Sequence, residues 1–147
     1  QQKRKAIWHY YHNNLQEWAE ENSVHLPFIP DGCDSAYHMY YMVTPDPETR
    51  TLLMRHLKER GIISVFHYQS LHLSEMGLRF GGKPGDCPIT EHASDCLLRL
   101  PCYNSLSFQD QDYVLKAIKD FNLKYKETTK FGSNQEKQHL LEYIQAS

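Results

Sequence analysis

The fold is decided by the stretch DPETRTLLMRHLKERGIISVFHY, residues 46–68. It opens with Asp46, a favourable N-cap, and Pro47, which fits the first helical position because an N–H there would have no partner. Apolar residues then recur at helical spacing until Gly61, which predicts the end of the helix. A β-branched and aromatic run, Ile62–Tyr68, predicts a strand. The stretch therefore predicts a helix followed directly by a strand.

Further helices and strands are predicted on both sides of this stretch. The apolar residues of Lys3–Asn22 recur at steps of three and four, which predicts one face of an amphipathic helix. Tyr37–Thr44 predicts a strand with little alternation, so that both of its faces could be covered. Thr90–Leu97 predicts a short helix that leads into a strand at Leu98–Pro101.

The last part of the chain predicts a helix followed by a polar extension. Ser107 and Asp110 form a variant capping signal at the start of that helix. Its inner face would consist of Val114, Ile118 and Phe121. The polar tail contains Leu140, Leu141 and Ile144, which could form a short terminal helix. We therefore expect one domain over residues 1–122 and an extension over residues 123–147.

The alternation of helices and strands predicts an α+β fold. We expect a small sheet of about three strands with helices packed on it. Most of the pairing should be antiparallel, although a right-handed crossover between parallel strands through residues 46–60 is also open.

Composition and charge exclude several classes of protein. Sixteen Lys and Arg against eighteen Asp and Glu leave a net charge of −2 and no long basic stripe, which argues against a nucleic-acid binder. The apolar runs Tyr40–Val43 and Ile62–Phe66 are far shorter than the roughly 20 residues of a membrane-spanning helix. The four cysteines form no Cys-x-x-Cys pair, and without a secretory signal we expect reduced thiols in a cytoplasmic protein.

The opening of the chain predicts a piece of a longer protein. It has no initiator Met, and Gln1–Lys5 contains no capping signal for the helix that begins there. Trimming of a complete protein is the alternative, but a chain that starts inside a helix favours the fragment.

Two patterns that resemble known motifs are rejected on their chemistry. Gly77–Lys83 fits G-x-x-x-x-G-K, but Pro84 follows where a phosphate-binding loop needs a hydroxyl and a donor N–H. The nine histidines include no H-E-x-x-H and no Cys/His set with zinc-ligand spacing. The sequence therefore predicts neither a nucleotide P-loop nor a metal site.

The segment Phe66–His72 is the best candidate site that the residues themselves indicate. It joins a predicted strand to a long glycine-containing loop, Ser70–Pro88, and such loops are often functional. His67, Tyr68 and His72 can donate, accept or transfer protons near neutral pH. Strand alternation would place His67 and Tyr68 on opposite faces, so the residues alone favour a core histidine beside an interface tyrosine over a binding site.

Four segments resemble one known family, in the order in which they occur. Gly61–His72 resembles the G-I…-hYxPLH segment of the DegT/DnrJ/EryC1/StrS sugar aminotransferases, and Gly85–Tyr103 resembles their G-d-x-P-x-t-E…L-x-L-P-l-y segment. Leu106–Val114 is similar to their closing L-s-x-x-d-q-x-x-V helix, and Lys3–Tyr11 to their R-x-x-i-w-x-x-Y helix. The resemblance covers about residues 3–122 and is greatest for dTDP-4-keto-6-deoxyhexose transaminases.

The resemblance implies an enzyme that depends on pyridoxal 5′-phosphate (PLP). Such enzymes transfer an amino group from an amino acid, expected here to be glutamate, to a keto sugar nucleotide, with PLP as the electron sink. Family members are fold-type I proteins with a large N-terminal and a small C-terminal domain, and they are usually dimers. The match is to the small domain. The Schiff-base lysine is therefore expected in a missing N-terminal domain, and this chain alone is expected to bind no PLP and to be inactive.

The position of His72 in the motif implies that it lines the sugar side of the cleft and orients the keto sugar through hydrogen bonds. Tyr68 and His67 are weaker candidates for the same role, and no catalytic residue is expected in this chain. The sequence departs from the family where Ser70 replaces a proline, which frees the backbone of the loop.

Two alternatives stay open. Some relatives are dehydratases that keep the fold and replace the Schiff-base lysine, so the residue at that position would separate the two activities. A non-catalytic binding module would be the better interpretation if the native gene encoded only these residues.

Overall fold

The computed structural model describes residues 1–121 and shows an α+β fold, as the sequence predicts. The helices are α1 (Gln2–Glu21), α2 (Pro47–Lys58), α3 (Glu75–Arg79), α4 (Pro88–Cys96) and α5 (Phe108–Lys119), and the strands are β1 (Tyr40–Val43), β2 (Val65–Phe66) and β3 (Leu97–Leu100). A 3₁₀ turn, Leu71–Leu73, lies between β2 and α3. The predicted extension over residues 123–147, with its short helix at Leu140, Leu141 and Ile144, lies outside the described residues.

The three strands form one sheet in the order β1-β3-β2. Its middle strand, β3, pairs antiparallel with both neighbours, so that Leu98 lies opposite Met42 on one side and Phe66 on the other. The expected antiparallel pairing is therefore confirmed. Because both outer strands run opposite to β3, they run parallel to each other, and α2 connects them across the middle strand.

The core joins α1, α2, α5 and one face of the sheet. The predicted inner faces of both helices are buried, through Ile7, Tyr11, Leu15, Trp18, Val114, Ile118 and Phe121. The hydroxyl of Tyr11 donates to the carbonyl oxygen of Pro101 at 3.1 Å, and Nε2 of Gln111 donates to the carbonyl oxygen of Ile7 at 3.0 Å. These bonds satisfy polar groups that folding removes from water. They also connect α1 to the end of β3 and to α5.

Strand β1 differs from its prediction in burial and in length. Tyr40 and Met42 are fully buried, whereas Tyr41 and Val43 are half-buried, so burial alternates and the two faces are not equally covered. The strand also begins later than predicted, because its first residue, Tyr40, pairs with Leu100 at the end of β3. Tyr37, where the predicted strand starts, has a φ of 46°, outside the β region. The sheet therefore has one face in the core and one face partly open to solvent.

The ends of α2 and α5 follow their sequence signals. The carboxylate of Asp46 accepts a hydrogen bond from the N–H of Thr49 at 2.7 Å, and Gly61 adopts a φ of 72° beyond the helix. Ser107 Oγ accepts a bond from the N–H of Asp110 at 3.1 Å, and the carboxylate of Asp110 accepts one from the N–H of Ser107 at 3.3 Å. The predicted caps are therefore confirmed.

Strand β2 is shorter than the predicted strand Ile62–Tyr68. The N–H of Ile62 donates to the carbonyl oxygen of Leu57 at 2.9 Å. The first residue of the predicted strand therefore caps the C-terminus of α2 and does not pair in the sheet. At the other end, Phe66 pairs with Leu98, and β3 begins only one residue before Leu98, directly after α4. The chain beyond Phe66 has no partner strand and leaves the sheet at its edge.

The long loop that follows β2 contains more regular structure than its glycines suggest. It includes the 3₁₀ turn and α3, whose start is capped by Ser74 Oγ accepting a bond from the N–H of Gly77 at 3.1 Å. The next helix, α4, begins at Pro88 rather than at Thr90, since proline suits the first helical position. The loop therefore has a defined path between β2 and α4.

Candidate functional site

The candidate site lies at the edge of the sheet, where β2 ends. His67 is half-buried, and its Nδ1 has no hydrogen-bond partner in the described part of the chain, whereas Tyr68 is 77% exposed. The two rings meet edge to face with centroids 5.3 Å apart. The adjacent residues thus lie in different environments. Strand alternation is not the cause, because the strand ends at Phe66.

The third predicted residue, His72, is paired with Glu91. Its Nε2 lies 2.8 Å from a carboxylate oxygen of Glu91, and the two side chains are only 17% and 20% exposed. Because an ionised carboxylate only accepts hydrogen bonds, Nε2 carries the hydrogen and donates it. His72 is therefore held in place through one of its two ring nitrogens.

Glu91 also accepts hydrogen bonds from the backbone of the loop. It lies in the first turn of α4, and its carboxylate accepts bonds from the N–H of Gly85 at 2.9 Å and from the N–H of Cys87 at 3.2 Å. The hydrogen bond from His72, supported by these two backbone bonds, lowers the pKa of Glu91 below its ordinary value. The carboxylate is therefore ionised at neutral pH and connects three separate points of the loop.

Two glycines let the loop fold closely around His72. A Cβ at Gly77 would collide with the carbonyl oxygen of Leu71, and a Cβ at Gly82 would collide with the carbonyl oxygen of His72. The N–H of Gly82 donates to the carbonyl oxygen of Gly77 at 3.0 Å, which closes the turn after α3. Only residues without a side chain permit backbone segments to approach this closely.

Side-chain hydrogen bonds tie the segment that carries the predicted site to α4. Ser70 is buried, and its hydroxyl donates to the carbonyl oxygen of Thr90 at 3.4 Å. The hydroxyl of Ser94 donates to the carbonyl oxygen of Tyr68 at 3.0 Å. A proline in place of Ser70 would offer no donor for the bond to Thr90. The serine that departs from the family pattern therefore supplies an anchor for the loop.

Three strongly exposed apolar side chains belong to the same loop and helix as His72 and Glu91. Leu71, Phe80 and Ile89 are 84%, 86% and 86% exposed, and we call these three residues the apolar rim. Leu71 adjoins His72, Ile89 lies one helical turn or less from Glu91, and the turn after Phe80 packs on the backbone of His72. Large apolar side chains this exposed, next to a polar pair, are typical of a surface that another protein surface covers.

The cysteines provide no activated nucleophile. All four are free in the structure, with Cys33 and Cys87 exposed and Cys96 buried. Burial raises the pKa of the Cys96 and Cys102 thiols, which keeps them protonated and unreactive.

Residues 1–121 contain no group of three or more His, Cys, Asp or Glu side chains that could hold a metal ion. Over the same range, no helix combines the length and the hydropathy needed to cross a bilayer. The polar side chains of the candidate site, two histidines, a tyrosine and a glutamate, offer hydrogen-bond donors and acceptors.

Glu91 is absent from the predicted site residues, although the family motif contains it. Its local signal is an acidic side chain in the first turn of a helix, where unpaired N–H groups favour a negative charge. Its partner His72 lies 19 residues away along the chain, and no short-range pattern indicates that contact.

Solved aminotransferases share this fold. The chain is 30% identical to a DegT DnrJ EryC1 StrS aminotransferase from Brucella abortus, with a TM-score of 0.68 over 82% of this chain and 30% of that one. Spr1654 from Streptococcus pneumoniae, solved in PMP and PLP forms, gives TM-scores of 0.72 and 0.71 at 24% identity, over 81% of this chain and 30% of that one. The fold is therefore that of the PLP-dependent aminotransferases.

The chain belongs to the DegT/DnrJ/EryC1/StrS aminotransferase family, which it matches over residues 1–119, so the resemblance of its motifs is confirmed. The erythromycin biosynthesis sensory transduction protein EryC1 of Saccharopolyspora erythraea is 29% identical over 118 residues, which cover 80% of this chain and 31% of that protein. The dTDP-3-amino-3,4,6-trideoxy-α-D-glucose transaminase of Micromonospora megalomicea is 24% identical over 119 residues, covering 80% and 31%. The chain thus spans about a third of the length of these relatives.

Proposed function

We propose that this chain is the small C-terminal domain of a cytoplasmic, PLP-dependent sugar-nucleotide aminotransferase that is a dimer at full length. The observation that carries the proposal is the match of residues 1–119 to the aminotransferase family. The name of a dTDP-sugar transaminase among the relatives supports a keto sugar nucleotide as amino acceptor. Glutamate is the proposed amino donor. Since the chain spans about a third of its relatives, a large N-terminal domain would supply the rest of the enzyme.

The described lysines lack the burial expected of a lysine that binds PLP. They are Lys3, Lys5, Lys58, Lys83, Lys116 and Lys119, and all six are exposed. A lysine that forms a Schiff base needs a lowered pKa, which comes from burial in an apolar pocket or from neighbouring cations. We therefore place the Schiff-base lysine and the cofactor in the N-terminal domain. For this chain we derive only substrate binding and orientation.

The proposed role of this chain is to form the sugar side of the active-site cleft. The rings of His67 and Tyr68 are in contact, and His72 follows on the same segment beyond β2, where Glu91 holds it in place. The apolar rim would pack on the N-terminal domain, which would bring these polar groups to the boundary between the two domains. Hydrogen bonds from them would orient the keto sugar for reaction.

The first test compares this chain with the complete enzyme. We expect the 147-residue chain to show no PLP absorbance shift and no transaminase turnover. The enzyme assembled with its N-terminal domain should show both, with glutamate and a dTDP-4-keto-6-deoxyhexose as substrates. PLP binding or turnover by the chain alone would contradict the placement of the cofactor.

The coding sequence upstream of Gln1 provides a second test of the proposed function. A lysine at the Schiff-base position supports transamination, and its replacement would support the dehydratase alternative. A gene that encoded no further domain would support a non-catalytic binding module.

The substitution His72→Ala tests the role of the predicted site. In the complete enzyme we expect the KM for the sugar nucleotide to rise about tenfold, because a hydrogen bond worth about 1.4 kcal/mol is lost. The half-reaction with glutamate should be unchanged in single-turnover measurements. The matched control is His38→Ala, because His38 is exposed on the segment before β1. Equal losses in both half-reactions would remove the sugar-side role.

A further inference from the structure

We propose that Glu91 is a positioning residue: it commits Nε2 of His72 to the protein, so that Nδ1 accepts a hydrogen bond from a sugar hydroxyl. This inference rests on the proposed function, because it requires His72 to face the sugar side of the cleft. Beyond that function, it names the atom that binds the sugar, Nδ1 of His72, and the group that this atom binds, a hydroxyl. It also names Glu91 as the residue that makes Nδ1 the acceptor.

The two ring nitrogens of His72 have different environments. Nε2 lies 2.8 Å from the carboxylate of Glu91, whereas Nδ1 has no partner among residues 1–121. With the hydrogen on Nε2, Nδ1 of the neutral ring is an acceptor. The ring keeps 17% of its side-chain surface open, so a ligand can reach it.

An acceptor at this position selects for particular ligand groups. It can receive a hydrogen bond from a hydroxyl or an amine, whereas phosphate and carboxylate oxygens, which only accept, gain nothing from it. Of the parts of a sugar nucleotide, the sugar hydroxyls meet this requirement and the diphosphate does not. His72 therefore binds the sugar, and the diphosphate contacts lie elsewhere.

The position of Glu91 is itself fixed, which is why it can orient a neighbour. Its carboxylate accepts bonds from the N–H of Gly85 and the N–H of Cys87 at 2.9 and 3.2 Å, and both donors belong to the backbone. The backbone of His72 is also closely packed, because Gly82 lies against its carbonyl oxygen. With both partners fixed, the ring has one orientation before any ligand arrives, which reduces the entropy lost on binding.

A purely structural role for Glu91 is the competing explanation, in which the carboxylate only holds the loop together. The two explanations differ in whether the effect of Glu91 on substrate binding requires His72. A positioning residue acts through His72 and affects sugar binding alone. A structural residue would act with or without His72 and would disturb both substrates.

A spectroscopic test uses the 147-residue chain. Nitrogen-15 NMR of the histidine rings at neutral pH should show the His72 hydrogen on Nε2, in slow exchange with water, and a bare Nδ1. Glu91→Gln should speed the exchange of that hydrogen, because a neutral amide is a weaker acceptor than a carboxylate. Glu75→Gln is the matched control, since Glu75 pairs with Arg79 on the exposed surface. A hydrogen found on Nδ1 of the unmodified chain would overturn the proposal.

A kinetic test uses the complete enzyme. Glu91→Gln should raise the KM for the sugar nucleotide about fivefold, with the glutamate half-reaction and the activity of the Glu75→Gln control unchanged. The double variant with His72→Ala should be no worse than His72→Ala alone, since Glu91 acts through that ring. Additive effects, or equal losses in both half-reactions, would show a structural role and overturn the inference. An unmodified enzyme without transaminase activity would instead overturn the proposed function, and the NMR result would still stand.

Discussion

At Glu91, one carboxylate satisfies donors from three points of the chain. It accepts bonds from the ring of His72 and from the N–H groups of Gly85 and Cys87. The latter two lie just before α4, where the first N–H groups of a helix have no partner inside it and a negative charge is favourable. The ionisation of this side chain is therefore coupled to the folded path of the loop.

Acid should weaken the fold partly through Glu91. Its ordinary pKa is 4.5 and hydrogen bonding lowers the folded value, so the ionised form stabilises the fold above pH 4.5. This contribution is lost as the pH falls through the lowered value. We expect the difference in the free energy of unfolding between the unmodified chain and Glu91→Gln to be largest near neutral pH and to shrink below pH 4.5, in urea titrations.

The control for this titration is Glu75→Gln. The carboxylate of Glu75 pairs with Arg79 at an exposed position, where such pairs contribute little to stability. We therefore expect a smaller difference that changes less with pH. A pH-independent effect of Glu91→Gln would contradict the coupling between ionisation and the loop.

At the scale of the element, packing and helix propensity favour different residues at one position of the short helix α3. Gly77 lies within it, and alanine is intrinsically the better helix former by about 1 kcal/mol. The backbone of the preceding 3₁₀ turn, however, occupies the space that a Cβ would need. The helix can therefore dock on the turn only if this position has no side chain.

The substitution Gly77→Ala decides between these two effects. We expect destabilisation of the loop, because the colliding atom is a backbone oxygen of Leu71 that cannot move aside as a flexible side chain would. Hydrogen exchange at the N–H of Gly82, which bonds to Gly77 at 3.0 Å, should become faster. The control Met76→Ala changes a half-exposed side chain of the same helix and should leave that exchange rate unchanged. Slower exchange in Gly77→Ala would show that helix propensity dominates.

At the scale of the whole molecule, the chain has a well-defined core and an apolar surface beside its candidate site. The core is built from α1, α2, α5 and the inner face of the sheet. Leu71, Phe80 and Ile89 lie outside it and are almost fully exposed. A surface of this kind favours association, either with the proposed N-terminal domain or, in its absence, with a second copy of the chain.

We therefore expect the 147-residue chain to self-associate through the apolar rim. Sedimentation velocity should show an increase in apparent mass with concentration, and Phe80→Lys should reduce it because a charge replaces an apolar contact. Phe28→Lys is the matched control, since Phe28 is 80% exposed but lies between α1 and β1. A chain that is monomeric at every concentration, or equal effects of both substitutions, would contradict an association surface at the rim.

Local signals account for the elements that the sequence predicts best. The caps at Asp46 and Ser107 and the apolar spacing of α1, α2 and α5 all act within a few residues, so they can be recognised before the fold is known. The motif that carries His72 can likewise be recognised, and the match to the family confirms its origin. The α+β class follows from the order of these elements. Antiparallel pairing is the expectation, and the sheet confirms it, although the sequence also leaves a parallel crossover open.

Other features depend on contacts between distant parts of the chain. The run Ile62–Tyr68 has the composition of a longer strand, but it pairs only at Val65–Phe66 because β3 begins where α4 ends. The bond between His72 and Glu91 forms only after the loop has folded back on α4, with two glycines allowing the approach. Periodicity and capping contain no information about such long-range contacts, whose formation depends on packing in three dimensions. The residue types of the candidate site are therefore readable from the sequence, whereas the tertiary fold alone decided which nitrogen of His72 pairs with Glu91.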